Sequence, residues 1–224
     1  ADAGKYQDAA LIGRGHAQVG LKDFEAAERD FRSVLQNNPE NALALIGLGQ
    51  LKLEDNKPDE ALDQFKAAAK ADSSNVEALF GLGKSLVLLG QADEAISPLT
   101  RTITLDPKRG EAYRLRGTGY AAQYKNKQAV EDIKKAIEID PNDYEAYYSL
   151  GVLDLRAEDY KSAVEELNKS IEHYKPKPGQ EELPYLQGFL TRANAYIELG
   201  KASKDPAEQK AAYQESYDAA EKLV

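Results

Sequence analysis

The sequence predicts an all-α fold, an α-solenoid of about six helix–turn–helix hairpins stacked side by side. Two observations predict it: several series of residues recur with one period of 34, and the apolar residues between the turns follow helical spacing. A hairpin with a single apolar face cannot bury that face alone, so such hairpins stack into a continuous core. The recurring residues are Gly15, Gly49, Gly83, Gly117 and Gly151; Ala27, Ala61, Ala95, Ala129 and Ala163; and Phe31, Phe65, Leu99, Ile133 and Leu167.

Each 34-residue unit has the pattern of two helices joined by a turn. Leu79, Leu82 and Leu86 stand at i, i+3 and i+7 in the first half of one unit, which is the spacing of one helical face. The glycine of each unit lets two helices approach closely. Asp-Pro pairs such as Asp140-Pro141 end the unit, because the residue before a proline is pushed out of the α region.

We expect residues 1–224 to form a single domain of five regular repeats and one irregular repeat. The segment KPKPGQEELP at 175–184 inserts a loop before the last repeat, and Asp205-Pro206 is typical of a helix N-terminus. The expected repeats lie near 8–41, 42–75, 76–109, 110–143 and 144–177, followed by a loop over 175–185 and the last repeat over 186–224.

The register of the last helix stays open. A terminal repeat of a solenoid is often atypical, because it has to end the core with a polar face. Two sets of residues fit the inner face of this helix: Tyr213, Tyr217 and Ala220, or Ala212, Ser216 and Ala219.

These positions resemble the tetratricopeptide repeat, whose 34-residue pattern is W-x₂-L-G-x₂-Y, then A-x₃-F, then P. The Leu-Gly pair is intact at 48–49, 82–83 and 150–151. The resemblance implies a right-handed α-solenoid whose first helices line a concave groove, and a role in binding other proteins. The tryptophan position holds apolar substitutes, namely Leu11, Leu45, Leu79, Tyr113 and Tyr147.

Composition narrows the classes of function. The formal charge is −9, from 38 acidic and 29 basic residues that are interspersed along the chain, which argues against nucleic-acid binding. No apolar run approaches the roughly 18 residues that cross a bilayer, so we expect no membrane insertion. The absence of cysteine excludes disulfides and thiolate sites and leaves the compartment open. Because residue 1 is alanine, we expect the chain to be a processed protein or a fragment.

One stretch of the sequence resembles a nucleotide-binding motif. Residues 78–85 read ALFGLGKS and fit a loose phosphate-binding pattern. A real site of this kind is a glycine-rich loop between a strand and a helix, whereas this stretch lies inside a predicted helix with its amides already bonded. The histidines, His16 and His173, have no ligand at the spacing of a zinc-binding helix. We therefore expect no catalytic residue, no cofactor and no metal.

The resemblance also implies which side chains face the groove. In the family, positions 2, 5, 9 and 12 of each first helix usually point into it, and here they form an apolar floor with a few polar side chains. The alternative is that neighbouring first helices cover most of this strip. The expected partner-binding residues are Glu77, Glu111 and Glu145 at position 2; Ile12, Ile46, Phe80, Arg114, Tyr148 and Leu190 at position 5; His16, Gln50, Lys84, Thr118, Val152 and Asn194 at position 9; and Leu53 and Val87 at position 12.

The leading hypothesis for function is a non-catalytic scaffold that binds a peptide or helix of a partner protein in this groove. Family members that grip the acidic tails of chaperones carry lysine and asparagine where this chain has Ile12 and His16, which argues against that partner. Two alternatives stay open. The chain could assemble into homo-oligomers through its loop or its terminal helix, which carries Tyr213, Tyr217 and 223–224, or it could be the helper region of a larger enzyme or secretion complex.

Overall fold

The computed structural model describes residues 2–176 and 185–221. Most of the predicted loop over 175–185 and the C-terminal residues 223–224 lie outside these ranges. Within them the chain forms twelve α-helices and no strand, which confirms the predicted all-α fold. The helices are α1 (Asp2–Gly20), α2 (Phe24–Asn37), α3 (Ala42–Glu54), α4 (Pro58–Ala71), α5 (Val76–Leu88), α6 (Ile96–Leu105), α7 (Gly110–Ala122), α8 (Asn126–Ile139), α9 (Tyr144–Arg156), α10 (Tyr160–His173), α11 (Leu186–Ala202) and α12 (Pro206–Glu221).

The helix starts follow from local sequence. Helices α3, α5, α7 and α9 begin at the residues expected to open the second to fifth repeats. Asn41, Asn75 and Asp143 stand just before three of these helices, and each side chain accepts a hydrogen bond from a first-turn amide. Such caps satisfy amides that have no partner inside the helix.

A residue with a left-handed backbone conformation follows each of the helices α1, α3, α5, α7 and α9. Gly90 has a φ of +75°, and four other residues at the same place in their repeats have φ between 56° and 61°. A left-handed residue is a common way to end a helix, and a glycine adopts this conformation without strain. The four other residues are Lys22, Asn56, Tyr124 and Glu158.

The chain divides into two compact units, Ala1–Gln123 with α1 to α7 and Tyr124–Val224 with α8 to α12. In the first unit each helix packs against the next one, and the first helices α1, α3, α5 and α7 also pack against one another in sequence. This arrangement of successive hairpins is what brings the side chains of the first helices to one surface of the unit.

The core of the first unit is built around two phenylalanines that lie between pairs of glycines. Phe31 and Phe65 are 0% and 1% exposed. A Cβ added at Gly47 would stand 2.5 Å from the Phe31 ring, and one added at Gly81 would stand 2.3 Å from the Phe65 ring. These distances are far below van der Waals contact, so each ring fits only because the next first helix carries glycine there.

In the second unit α8 packs against α9, and α9 to α12 follow one another in the same way. Leu167 and Ala195 lie in its core. The last helix adopts the second of the two registers left open by the sequence, with Ala212, Ser216 and Ala219 buried. Tyr213 and Tyr217 are 44% and 61% exposed, so the first register is wrong.

None of the helices in residues 2–176 and 185–221 combines the length and the apolar character needed to cross a membrane.

Candidate functional site

A pocket of about 280 Å³ opens on the surface that α1, α3 and α5 form in the first unit. Its apolar lining comes from one side chain of each of these helices and from the Phe65 ring of α4. Five of the residues that the sequence predicted for a groove meet here: Gln50, Leu53, Glu77, Phe80 and Lys84. The other lining residues are Val19, Glu54, Phe65 and Gly81.

The pocket depends on the close approach of α3 and α5. Gly81 adds no side chain between these helices, so the edge of the Phe65 ring stays in the lining of the pocket. A methyl group at this position would overlap the ring. The glycine therefore supports both the packing of the core and the shape of the site.

Arg109 is held beside the pocket by two carboxylates. Its Nη1 donates a hydrogen bond to Oε2 of Glu77 at 3.0 Å, and its Nε donates to Oδ2 of Asp106 at 3.1 Å. The hydrogen bond to Glu77, followed by that to Asp106, raises the pKa of Arg109. The guanidinium carbon lies 4.8 Å from the centroid of the Phe80 ring, within the range of a cation–π interaction. These contacts fix the orientation of Phe80.

Lys84 also lies near the Phe80 ring and forms an ion pair with Glu111 of α7. Its Nζ donates a hydrogen bond to Oε1 of Glu111 at 2.8 Å, and it lies 5.9 Å from the Phe80 centroid. Arg114 approaches the same Oε1 at 3.8 Å. Lys84, Glu111 and Arg114 thus form a network on one surface of the first unit.

Some predicted groove residues lie elsewhere. Ile12 and Ile46 are 8% and 4% exposed and pack into the core, so they offer almost no surface to a partner. His16 is exposed, and its ring meets the edge of the Phe31 ring at 5.3 Å. Val87 packs against the core, and the Thr118 hydroxyl donates to the Arg114 carbonyl at 3.2 Å.

The predicted residues of the second unit form a separate group. Tyr148 is half-buried beside α11, with its hydroxyl 3.3 Å from that of Thr191. Val152 is half-buried on the same helix, Glu145 is exposed at its start, and Leu190 and Asn194 are exposed on α11.

Tyr148 also borders a cluster of tyrosine rings in the second unit. The Tyr185 ring stacks on Tyr174 at 4.7 Å and meets the edges of Tyr144 and Tyr148 at 5.3 and 6.2 Å. Burial raises the pKa of Tyr185 to about 12. The contacts between these half-buried rings stabilise the packing of α9.

Sequence reasoning missed Arg109 and Glu54 as parts of the site. Arg109 is the last residue of its repeat and Glu54 the last residue of α3, so both fall outside the four helix positions used for the prediction. Arg109 and Glu77 are 32 residues apart in the chain. That separation is close to the 34-residue period, which is the signal that places Arg109 at the N-terminus of α7 beside Glu77 in the first turn of α5.

The fold defines a class of protein, a helical-repeat scaffold for interactions between proteins. Four family models described as tetratricopeptide repeat match residues 18–63, 48–110, 112–143 and 133–165. The chain belongs to the tetratricopeptide repeat family, which confirms the resemblance seen in the sequence. None of the curated protein sequences matches the chain.

Several solved structures are similar to this one. The crystal structure of MamA is 28% identical, with a TM-score of 0.62 over 71% of this chain and 93% of the other. YrrB, described as a TPR protein with an unusual peptide-binding site, is 26% identical, with a TM-score of 0.63 over 73% of this chain and 84% of the other. PilW, a type IV pilus biogenesis factor, has a TM-score of 0.76 over 96% of this chain and 91% of the other. At 17% identity, PilW supports the fold alone.

Proposed function

We propose that the chain is a non-catalytic scaffold that binds a peptide or helical segment of a partner protein on the first helices of its first unit. The observation that carries the proposal is the pocket between α1, α3 and α5. Its lining combines apolar walls with a few polar groups, which is the usual composition of a binding pocket. YrrB, which resembles this chain over most of its length, is described as having a peptide-binding site.

The contact residues we propose in the first unit are those that expose surface. They are Gln50, Leu53, Glu77, Phe80 and Lys84 in the pocket, with Glu111, Arg114 and Thr118 on α7. Ile12 and Ile46 are left out because they are buried. His16 and Val87 are secondary candidates. In the second unit the proposed contacts are Glu145, Tyr148, Val152, Leu190 and Asn194.

The apolar side chains supply the affinity in this proposal, and the ion pairs fix the register of the partner. Arg109 and Lys84 both lie near the Phe80 ring and are themselves held by Glu77 and Glu111, and these contacts favour one orientation of the ring. A preorganised aromatic anchor loses little conformational entropy on binding. Rim charges mainly change the association rate and the selectivity.

The experiment is affinity capture of partner proteins by the wild-type chain and by two variants, Phe80→Asp and Tyr148→Asp, one in each unit. Leu88→Asp is the matched control, because Leu88 lies on α5 like Phe80 and is exposed but does not line the pocket. We expect Phe80→Asp to lose partners that the control retains. If every partner survives both Phe80→Asp and Tyr148→Asp, the proposed groove is wrong.

Self-assembly is the second candidate, favoured by the exposed Tyr213 and Tyr217 on α12. These rings lie on one open face of the last helix together with Pro206 and Lys210. Large aromatic residues with this exposure on one helix face are common at protein contacts. Light scattering over a range of protein concentrations tests it: the wild type should grow in mass and Tyr217→Asp should not. A strictly monomeric wild type would exclude self-assembly.

A further inference from the structure

The charged side chains that line the pocket differ in whether they already have a partner within the protein. Glu77 accepts hydrogen bonds from Arg109, and Lys84 donates one to Glu111. Glu54 lies at the end of α3, is exposed, and forms no ion pair or hydrogen bond within the described part of the chain. The charge that this pocket offers to a ligand is therefore negative.

Gln50 adds a neutral polar group to the same pocket. Its side chain is half-buried and has no hydrogen-bond partner among the described residues. A glutamine amide carries both donors and an acceptor, so it matches the main chain of a peptide, which presents both. It does not discriminate between side chains.

The size and the apolar walls of the pocket determine which side chain of a partner fits into it. Val19, Leu53 and Phe80 form its apolar sides, with Phe65 beneath. At about 280 Å³ it lies just below the range of small-molecule pockets, roughly 300 to 1,000 Å³. It is suited to one large apolar side chain of a partner rather than to a whole helix.

We propose that this pocket selects a peptide segment with one large apolar side chain, leucine, isoleucine or an aromatic residue, next to a lysine or arginine. The apolar side chain enters between Val19, Leu53 and Phe80, and the cation faces Glu54. The Gln50 amide bonds the main chain between them. The inference rests on the proposed function and names the chemistry of the partner, and the negative charge of the chain, −9, favours the approach of a basic segment.

The experiment selects binders from a phage-displayed library of random 12-residue peptides against the full chain. Selected peptides are then synthesised and their affinities measured by fluorescence anisotropy. We expect enrichment of an apolar residue with lysine or arginine beside it. Glu54→Lys should weaken these peptides about three- to tenfold, since an exposed ion pair contributes little and is here replaced by a repulsion. The same variant should gain affinity for peptides in which the cation is replaced by glutamate.

The matched control is Asp63→Lys. Asp63 is exposed on α4 outside the pocket, and its reversal changes the net charge by the same amount as Glu54→Lys. It should leave the affinity within about twofold, which separates a local contact from general attraction at moderate salt. Equal losses in the two variants would overturn the local role of Glu54.

Failure of this inference and failure of the proposed function give different results. Peptides that lose affinity with Phe80→Asp but carry neutral or acidic neighbours would overturn the inference and leave the groove proposal standing. Peptides that bind Phe80→Asp as well as they bind the wild type would overturn both. A selection that enriches no peptide above background would also count against both.

Discussion

Replacing Gly81 by alanine should destabilise the first unit, although alanine is the better helix former. The new Cβ would stand 2.3 Å from Cε1 and 2.4 Å from Cζ of Phe65. The ring cannot retreat, because the Cβ position of Gly49 is only 2.8 Å from Cζ of the same ring. Overpacking of a filled core costs about 1 to 3 kcal/mol, and the helical preference for alanine returns about 0.5 to 1 kcal/mol. The difference between these ranges is about 0 to 2.5 kcal/mol, and we expect a net loss near its middle, about 1 to 2 kcal/mol.

Thermal unfolding followed by circular dichroism measures this effect. At roughly 2 to 4 °C per kcal/mol for a chain of this size, the midpoint should fall by about 2 to 8 °C. Gly13→Ala is the control, because Gly13 holds the equivalent position in the first repeat and nothing lies within 4 Å of its Cβ position. That substitution should raise stability by about 0.5 to 1 kcal/mol.

A second variant tests the mechanism. Phe65→Leu removes the ring atoms nearest to the new methyl group, so Gly81→Ala should cost less in the Phe65→Leu background than in the wild type. A coupling of about 0.5 kcal/mol or more is expected for residues in direct contact. If Gly81→Ala stabilises the chain as Gly13→Ala does, the explanation of these glycines by ring packing is refuted.

Three further substitutions test other parts of the structure. Gly90→Ala should cost about 1 kcal/mol in urea unfolding through backbone strain alone, because Gly90 has a φ of +75° and open space around its Cβ position. An unchanged midpoint would contradict this. Asn75→Ala should cost about 1 kcal/mol by removing the cap of α5, and Asn75→Asp should retain most of that stability. Burial, then Asp159 and Glu166, raises the pKa of Asp154 to about 6. A raised carboxyl pKa gives stability that is fully present below about pH 4 and is lost as the pH rises through 6. Asp154→Asn should therefore raise the urea midpoint at pH 7.5 and leave it unchanged at pH 4; an equal change at both would refute the assignment.

The fold was predictable from the sequence because the residues that determine it lie within each repeat and recur from one repeat to the next. All five alanines of the 34-residue series that includes Ala61 are 0% exposed. The bulky residues four positions after each of them are at most 1% exposed. Each repeat meets the same steric requirement where two helices cross, so the same residue types recur. A period of 34 can then be seen without knowing any contact. The helix boundaries follow in turn from Asn, Asp and Pro at the turns.

The site was predictable only as a surface. Repeat positions indicate that Phe80 and Lys84 lie on the first-helix surface, but they do not indicate that Glu111, 27 residues later, holds Lys84. Which charged residues form an ion pair depends on how far each hairpin is shifted relative to its neighbour. The spacing of residues in the sequence does not determine this shift. Position 5 illustrates the same limit. Ile46 is short and β-branched and is covered by the core, whereas the longer Phe80 ring reaches the surface beneath Arg109.

Gly47 and Gly81 belong to a second, shorter glycine series with the 34-residue period that begins at Gly13, and these two positions carry glycine because of the volume of a neighbouring ring. Each follows a phenylalanine by 16 residues, Phe31 and Phe65 respectively, and each leaves room for that ring. The third and fourth repeats have a smaller residue in place of the phenylalanine, and there the position 16 residues on carries a side chain, Leu115 after Leu99 and Ser149 after Ile133. The space between two neighbouring helices is thus occupied in two ways. Either a phenylalanine ring on one helix faces a glycine on the next, or a smaller residue on one helix faces a side chain on the next. The ring-and-glycine solution brings α3 and α5 close together and places the Phe65 edge in the pocket. The surface that we propose for peptide binding is therefore a consequence of how the core of the first unit is filled, and a substitution such as Gly81→Ala should change both stability and peptide affinity.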